Sequence, residues 1–252
     1  MTEEQWLSCD DWRPIIAYLS GKISKRKGTL YVCAGLRCIS HLLYDDGSWT
    51  ALDIAERAAD GLADEGDIGY AGWSAEPATF GFDFDPEMMN PYMIDGSLDP
   101  SVQRLIEMGI YTEADIREWR PSRYAATVEQ ISNAAHIAYH STHTVSENRF
   151  DPHLLDHLVQ QSDWPGGWLI REIFGNPFRP THVNPEWLAW KRGTAAALAR
   201  TIYEDRAFDR MPILADALEE ASCQDADVLN HCRHASRHMR GCWVIDLLLG
   251  LQ

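Results

Sequence analysis

The sequence predicts an all-α protein: an irregular multi-helix bundle with a long acidic, aromatic-rich insertion around 63–100. Apolar residues recur at three and four positions through most of the chain, the period of one helix face. No stretch alternates apolar with polar residues over strand length, and no repeat recurs at a fixed period. At 252 residues the chain is long enough to bury a core. It reads as one helical domain over 1–252, with possible subdivision into 1–62, 63–121 and 122–252.

Trp12, Ile15, Ile16 and Leu19 stand at helical spacing behind Asp10 or Asp11 as a cap. Thr29–Tyr44 sets Leu30, Cys33, Ala34, Cys38, His41 and Leu42 around one stripe. Trp49–Leu62 continues with Leu52, Ile54, Ala55, Ala58 and Ala59, ended by Gly61 or Gly66. Residues 11–62 therefore read as three packed helices. Over 63–100 the composition turns to Gly, Pro, Asp and aromatics. Tyr70, Trp73, Phe80, Phe82, Phe84 and Tyr92 want burial, so this stretch reads as an ordered irregular segment or a partner-facing insertion.

Helical spacing resumes over 100–118, 122–145, 152–162 and 165–174, the last with Asp163 as cap and Pro165 in its first turn. Asn176-Pro177 and Arg179-Pro180 interrupt the chain. A short turn at Pro185–Trp190 leads to helices at Gly193–Arg206, Pro212–Ala221, Asp225–Cys232 and Cys242–Leu249.

A formal net charge of −16 lacks the cationic footprint of a nucleic-acid binder. The one dense basic run, Lys22–Lys27, reads as a solvated helix start. The first residues, MTEEQWLSCDDW, have neither the basic nor the apolar region of an export signal. The apolar run Cys242–Leu249 is broken by Asp246 and falls far short of the roughly 20 residues of a membrane span. The expectation is a cytoplasmic protein with no nucleic-acid and no membrane partner, whose six cysteines are free thiols or metal ligands.

Three sets of residues carry ligand chemistry. Cys223, His231, Cys232, His238 and Cys242 hold the thiolates and imidazoles that zinc prefers. No CxxC knuckle accompanies them, and the adjacent His231 and Cys232 point about 100° apart on a helix; packed Cys and hydrogen-bonded His is the competing account. Cys33, Cys38 and His41, with Cys9 from a preceding turn, form a second, weaker set. His136 and His140, with His153 and His157, are two i,i+4 doublets that would converge in an antiparallel hairpin. No HExxH, Glu-x-x-His, GxSxG, Walker or dinucleotide motif is present, so the chain leans away from an enzyme. Asn176, Arg179, Arg206, Asp209 and Asp216 read as caps and ion pairs of a structural corner around Pro212.

The motifs resemble an all-helical family of planctomycete-type bacteria. The likeness runs through Trp6-Leu7, Cys9, Arg26-Lys27, Ala55-Glu56, Asp60–Ala63, Ile173–Pro180, Ile202-Tyr203, Arg206–Arg210, Pro212–Ala221, His231–Arg233 and Arg240–Val244. The resemblance implies a helical fold and brings no activity. Gly35 and Leu36 stand where that family has further Cys, and the four hairpin histidines look particular to this chain. Two functions follow as expectations. One is a non-enzymatic helical module for a protein partner, supported by ten Trp and the acidic aromatic segment. The other is a zinc protein using the C-terminal Cys/His cluster or the His hairpin.

Overall fold

The computed structural model describes residues 1–43, 46–80, 96–98, 100–107, 109, 112, 114, 134–141, 164–235 and 237–251. Among these every regular element is a helix, as the sequence predicts. In chain order they are α1 (Glu3–Ser8), α2 (Trp12–Leu19), α3 (Lys25–Cys38), α4 (Asp46–Ala59), α5 (Glu65–Phe80), α6 (Pro100–Glu107), α7 (Gly167–Phe174), α8 (Pro185–Ala189), α9 (Thr194–Asp205), α10 (Met211–Glu220), α11 (Ala226–His234) and α12 (Trp243–Leu249). Residues 134–141 are also helical. No helix among the described residues is long and apolar enough to cross a membrane.

The chain divides into two compact units, residues 1–34 with 165–252, and residues 35–164. Sequence boundaries near 62 and 121 do not coincide with this division, because the first helices find their partners at the far end of the chain. In the first unit α1 opens on a reciprocal cap between Thr2 and Gln5, and Asp11 caps α2. Helix α7 packs on α2. It begins at Gly167, two residues later than Pro165 suggests, because Gly166 and Gly167 lie directly on the backbone of Cys9 and Asp10. The Gly167 amide donates to Asp10 O at 2.7 Å, and a Cβ at 167 would overlap the Cys9 carbonyl.

One core cluster of this unit comes from α8–α12, while Trp6, Ile15, Leu30, Leu169 and Ile170 are buried on α1, α2, α3 and α7. Trp187, Ala199, Ile202, Met211, Leu214, Leu218, Val228, Cys232, Cys242, Ile245 and Leu248 interlock in the α8–α12 cluster. The chain turns from α9 into α10 just before Pro212. Arg206 takes the left-handed conformation (φ 53°) that ends α9, and the Ala207 amide returns to Ile202 O at 3.1 Å. Pro212 then sits in the first turn of α10, where its missing N–H is harmless.

The basic run is a solvated helix start only in part: Lys22 is exposed, but Arg26 and Lys27 are not. Arg26 and Lys27 have side chains only 10% and 15% exposed, and both grip Asp246, itself 2% exposed. Arg26 is bidentate on that carboxylate at 2.7 and 3.0 Å and also donates to Tyr203 Oη at 2.8 Å. An acid in the apolar run of α12 is tolerated because cations from α3 meet it.

In the second unit α4 and α5 pair through Ala51, Ile54, Ala71 and Ala75. The insertion therefore opens with a helix. Asp64 and Asp67 cap it reciprocally, amide to carboxylate, at 2.8 and 3.4 Å. Close packing on alanine offsets the poor helix propensity of Gly66, Gly69 and Gly72. Arg37 ties the end of α3 to α4 through Asp53 at 2.5 Å and the buried Glu56 at 2.8 Å. The Trp164 indole occupies the space a side chain at 35 would need, so Gly35 leaves no room for a larger residue. Residues 81–95 of the insertion and the expected helix at 152–162 lie outside the described residues.

Candidate metal centre

Glu172 stands in the last half of α7, flanked by two anchors. On one side Arg171 Nη1 donates to Trp6 O at 3.0 Å and Cys9 O at 2.9 Å. On the other, the Ile173 carbonyl accepts from Lys27 Nζ at 2.7 Å. Its carboxylate is 3% exposed and faces His231, in the last turn of α11, and His238, in the segment that follows. Cys242, wholly buried, precedes the first residue of α12.

Four side chains converge. His231 Nε2 lies 3.1 Å from Glu172 Oε2 and 3.2 Å from Cys242 Sγ. His238 Nδ1 lies 3.3 Å from Glu172 Oε1 and 3.9 Å from Cys242 Sγ. One ligand atom from each residue fits within 4.8 Å of the other three. A tetrahedral zinc site with bonds of about 2.0–2.3 Å places its ligand atoms about 3.3–3.6 Å apart, so the cluster is close to that size. The Met239 amide donates to Glu172 Oε1 at 3.1 Å, and Trp243 covers His231 with ring centroids 5.2 Å apart. Such contacts fix the orientation of the Glu172 carboxylate and the His231 ring.

Burial alone would push the Glu172 carboxyl up, but the hydrogen bonds from His231 and His238 outweigh it and hold the group below the ordinary carboxylate range. Burial raises the Cys242 thiol well above its usual value, with Glu172 adding to the effect. A divalent cation reverses that balance, since a coordinating thiol gives up its proton outright. His238 Nε2 is buried without a hydrogen-bond partner in the described structure.

The arrangement does not suit a Cys–His–acid nucleophile. Cys242 Sγ and Glu172 both address the same nitrogen of His231, whereas a triad needs thiol and acid on opposite ring nitrogens. Cys242 is also closed to substrate.

Of the C-terminal set read from sequence, the fold brings His231, His238 and Cys242 together. Cys232 is not one of the converging ligands, although it is near enough to feel the Glu172 charge; it is 1% exposed, and burial, with Glu172 adding to it, pushes its thiol up to about 12. Cys223 is buried near Cys232, outside the cluster. The fourth member of the cluster, Glu172, is not in the set that the sequence predicts. An acid within a helical motif looks like any solvated position, and only the apolar Ile170 and Ile173 beside it hint at burial.

His136 and His140 stack at 6.4 Å on the helical stretch 134–141; His153 and His157 lie outside the described residues. Cys33 is buried, His41 exposed, and Cys9 Sγ donates to Asp11 O at 3.3 Å. The structural-corner residues separate into two places. Asn176 Nδ2 and Arg179 Nε both bond Glu3 Oε1, at 2.8 and 2.6 Å, and so pin α1. Arg206 and Asp209 line the turn before α10, while Asp216 pairs with Arg233 at 3.0 Å.

Comparison of the chain with family models, curated proteins and solved structures gives no match.

Proposed function

We propose that this chain is a metal-binding protein that holds one divalent transition ion, zinc by its donor set, at Glu172, His231, His238 and Cys242. The observation that carries the reading is the convergence of four ligand atoms from α7, α11 and the 238–242 segment within 4.8 Å. One thiolate, two imidazoles and one carboxylate suit zinc, whereas calcium and magnesium take oxygen-rich sets. Two anionic ligands balance the charge of a divalent ion in a buried place, where a net charge is costly. Four protein ligands leave no open position, so the role is structural: the ion would staple α7 and α11 to the start of α12.

The test is metal content of tag-free protein. The expected result is about one zinc per chain, lost in Cys242→Ser and in His238→Ala; a chain that retains and rebinds no zinc, cobalt or iron sinks the reading. A second reading, a helical module for a protein partner, draws on Tyr70 and Trp73. These are 58% and 71% exposed with rings 6.2 Å apart on α5. A cytoplasmic setting, which keeps thiols reduced, suits both.

A further inference from the structure

We propose that Lys27 is a positioning residue of this metal centre, acting on the main chain beside two ligands without touching the ion. The inference rests on the zinc reading of the cluster. Lys27 Nζ donates to Ile173 O at 2.7 Å and to Gly241 O at 2.9 Å, and pairs with Asp246 at 2.5 Å. Ile173 directly follows Glu172, and Gly241 directly precedes Cys242. One ammonium therefore joins the backbone beside both anionic ligands, which are otherwise 70 residues apart in sequence.

Lysine suits the task because its ammonium presents three donors at the end of a long stem, and here three acceptors take them. Burial pushes the ammonium pKa down, and Asp246 opposes that shift. The two carbonyls also need the donor for themselves. Ile173 O belongs to the last turn of α7, where carbonyls lack helical partners. Gly241 sits at φ +91° with Leu30 and Ile173 packed where a Cβ would be, so the turn leading into Cys242 has little freedom. On the other side of Glu172, Arg171 is fixed to Trp6 and Cys9. Lys27 completes the frame by fixing the α7 end against the 241–242 turn, so the ligands stand near their bonding separations before an ion arrives. Preorganised ligands bind more tightly because the ion need not order them.

The experiment is zinc affinity of the full chain by competition with a chromogenic chelator, together with the visible spectrum of the cobalt-loaded protein. The variants are Lys27→Met, Lys27→Gln and Asn176→Ala. Lys27→Met should bind one zinc about 10–100-fold more weakly, the loss typical of outer-shell partners, with cobalt bands shifted from those of the wild type. Lys27→Gln, which keeps a neutral donor, should fall between and carries the comparison if Lys27→Met does not fold. Asn176→Ala removes one of the bonds between the loop after α7 and Glu3 but touches the main chain beside neither ligand, and should stay within about twofold of the wild type. Equal affinity in wild type and the folded Lys27 variants overturns the inference while leaving the zinc site intact. So does an equal loss in Asn176→Ala, which would mark general loosening. A wild type that takes up neither zinc nor cobalt overturns both this and the reading it rests on.

Discussion

Replacing Asp246 by asparagine removes the carboxylate from a place where two cations already converge. Asp246 is 2% exposed, Arg26 holds both its oxygens at 2.7 and 3.0 Å, and Lys27 holds one at 2.5 Å. The amide keeps the shape but turns a donor towards donors and leaves the cations without that charge. Breaking a buried ion pair by removing one partner costs about 3–5 kcal/mol. For a chain of this size each kcal/mol moves the midpoint by about 2–4 °C, so the melting temperature should fall by about 6–20 °C. Because the chain has two compact units, the loss belongs to the one built from 1–34 and 165–252. If unfolding shows two transitions, one should move and the other stay. Denaturant unfolding at fixed metal concentration is the assay, since bound metal would add its own stability. The triple variant Asp246→Leu with Arg26→Met and Lys27→Met should recover much of the loss, because apolar groups of similar volume often replace a complete buried ion cluster at little cost. A loss below about 1 kcal/mol in Asp246→Asn, the size of an exposed pair, would refute the reasoning.

Gly167→Ala places a methyl on the Cys9 carbonyl and the Ile15 side chain, so α7 must move. About 1–3 kcal/mol of stability should be lost in denaturant unfolding, with weaker zinc retention because Glu172 travels with the helix. Asp11 is held below the ordinary aspartate range, chiefly by the side-chain hydrogen bond from Arg13 and then by the Arg13 amide. A carboxyl depressed in the folded state stabilises above its unfolded pKa near 3.9 and loses that contribution as pH falls through the folded value. The acid limb of a pH–stability curve should therefore be shallower below about pH 4 in Asp11→Asn, which keeps the cap without the charge.

Local pattern was legible where local physics decides. The spacing of Trp12, Ile15, Ile16 and Leu19 marks α2, and Pro212 marks the start of α10, because periodicity and a missing N–H act within a few residues. The helix α5 was hidden by its glycines; its stability comes from alanine packing on α4, which no window of the sequence displays. Arg26 and Lys27 looked solvated because they stand in a charged run, yet their partner lies about 220 residues away. The signal was Asp246 itself, an acid in an apolar helix that needed a cation. The candidate site was half visible. Cys and His types named His231, His238 and Cys242, and the 100° step along a helix explains why Cys232 could not join His231 at the same ion. Glu172 was invisible because nothing local to it announces the three ligands that the fold brings to its side.

The most direct test of the zinc centre is X-ray absorption at the zinc edge of the metal-loaded chain. A Glu-His-His-Cys site predicts four neighbours: one sulfur at about 2.3 Å and three nitrogen or oxygen atoms at about 2.0–2.2 Å. Cys242→Ser should not retain zinc, and zinc added back to it should show no sulfur neighbour. A shell without sulfur in the wild type, or one with two or more, would contradict this ligand set.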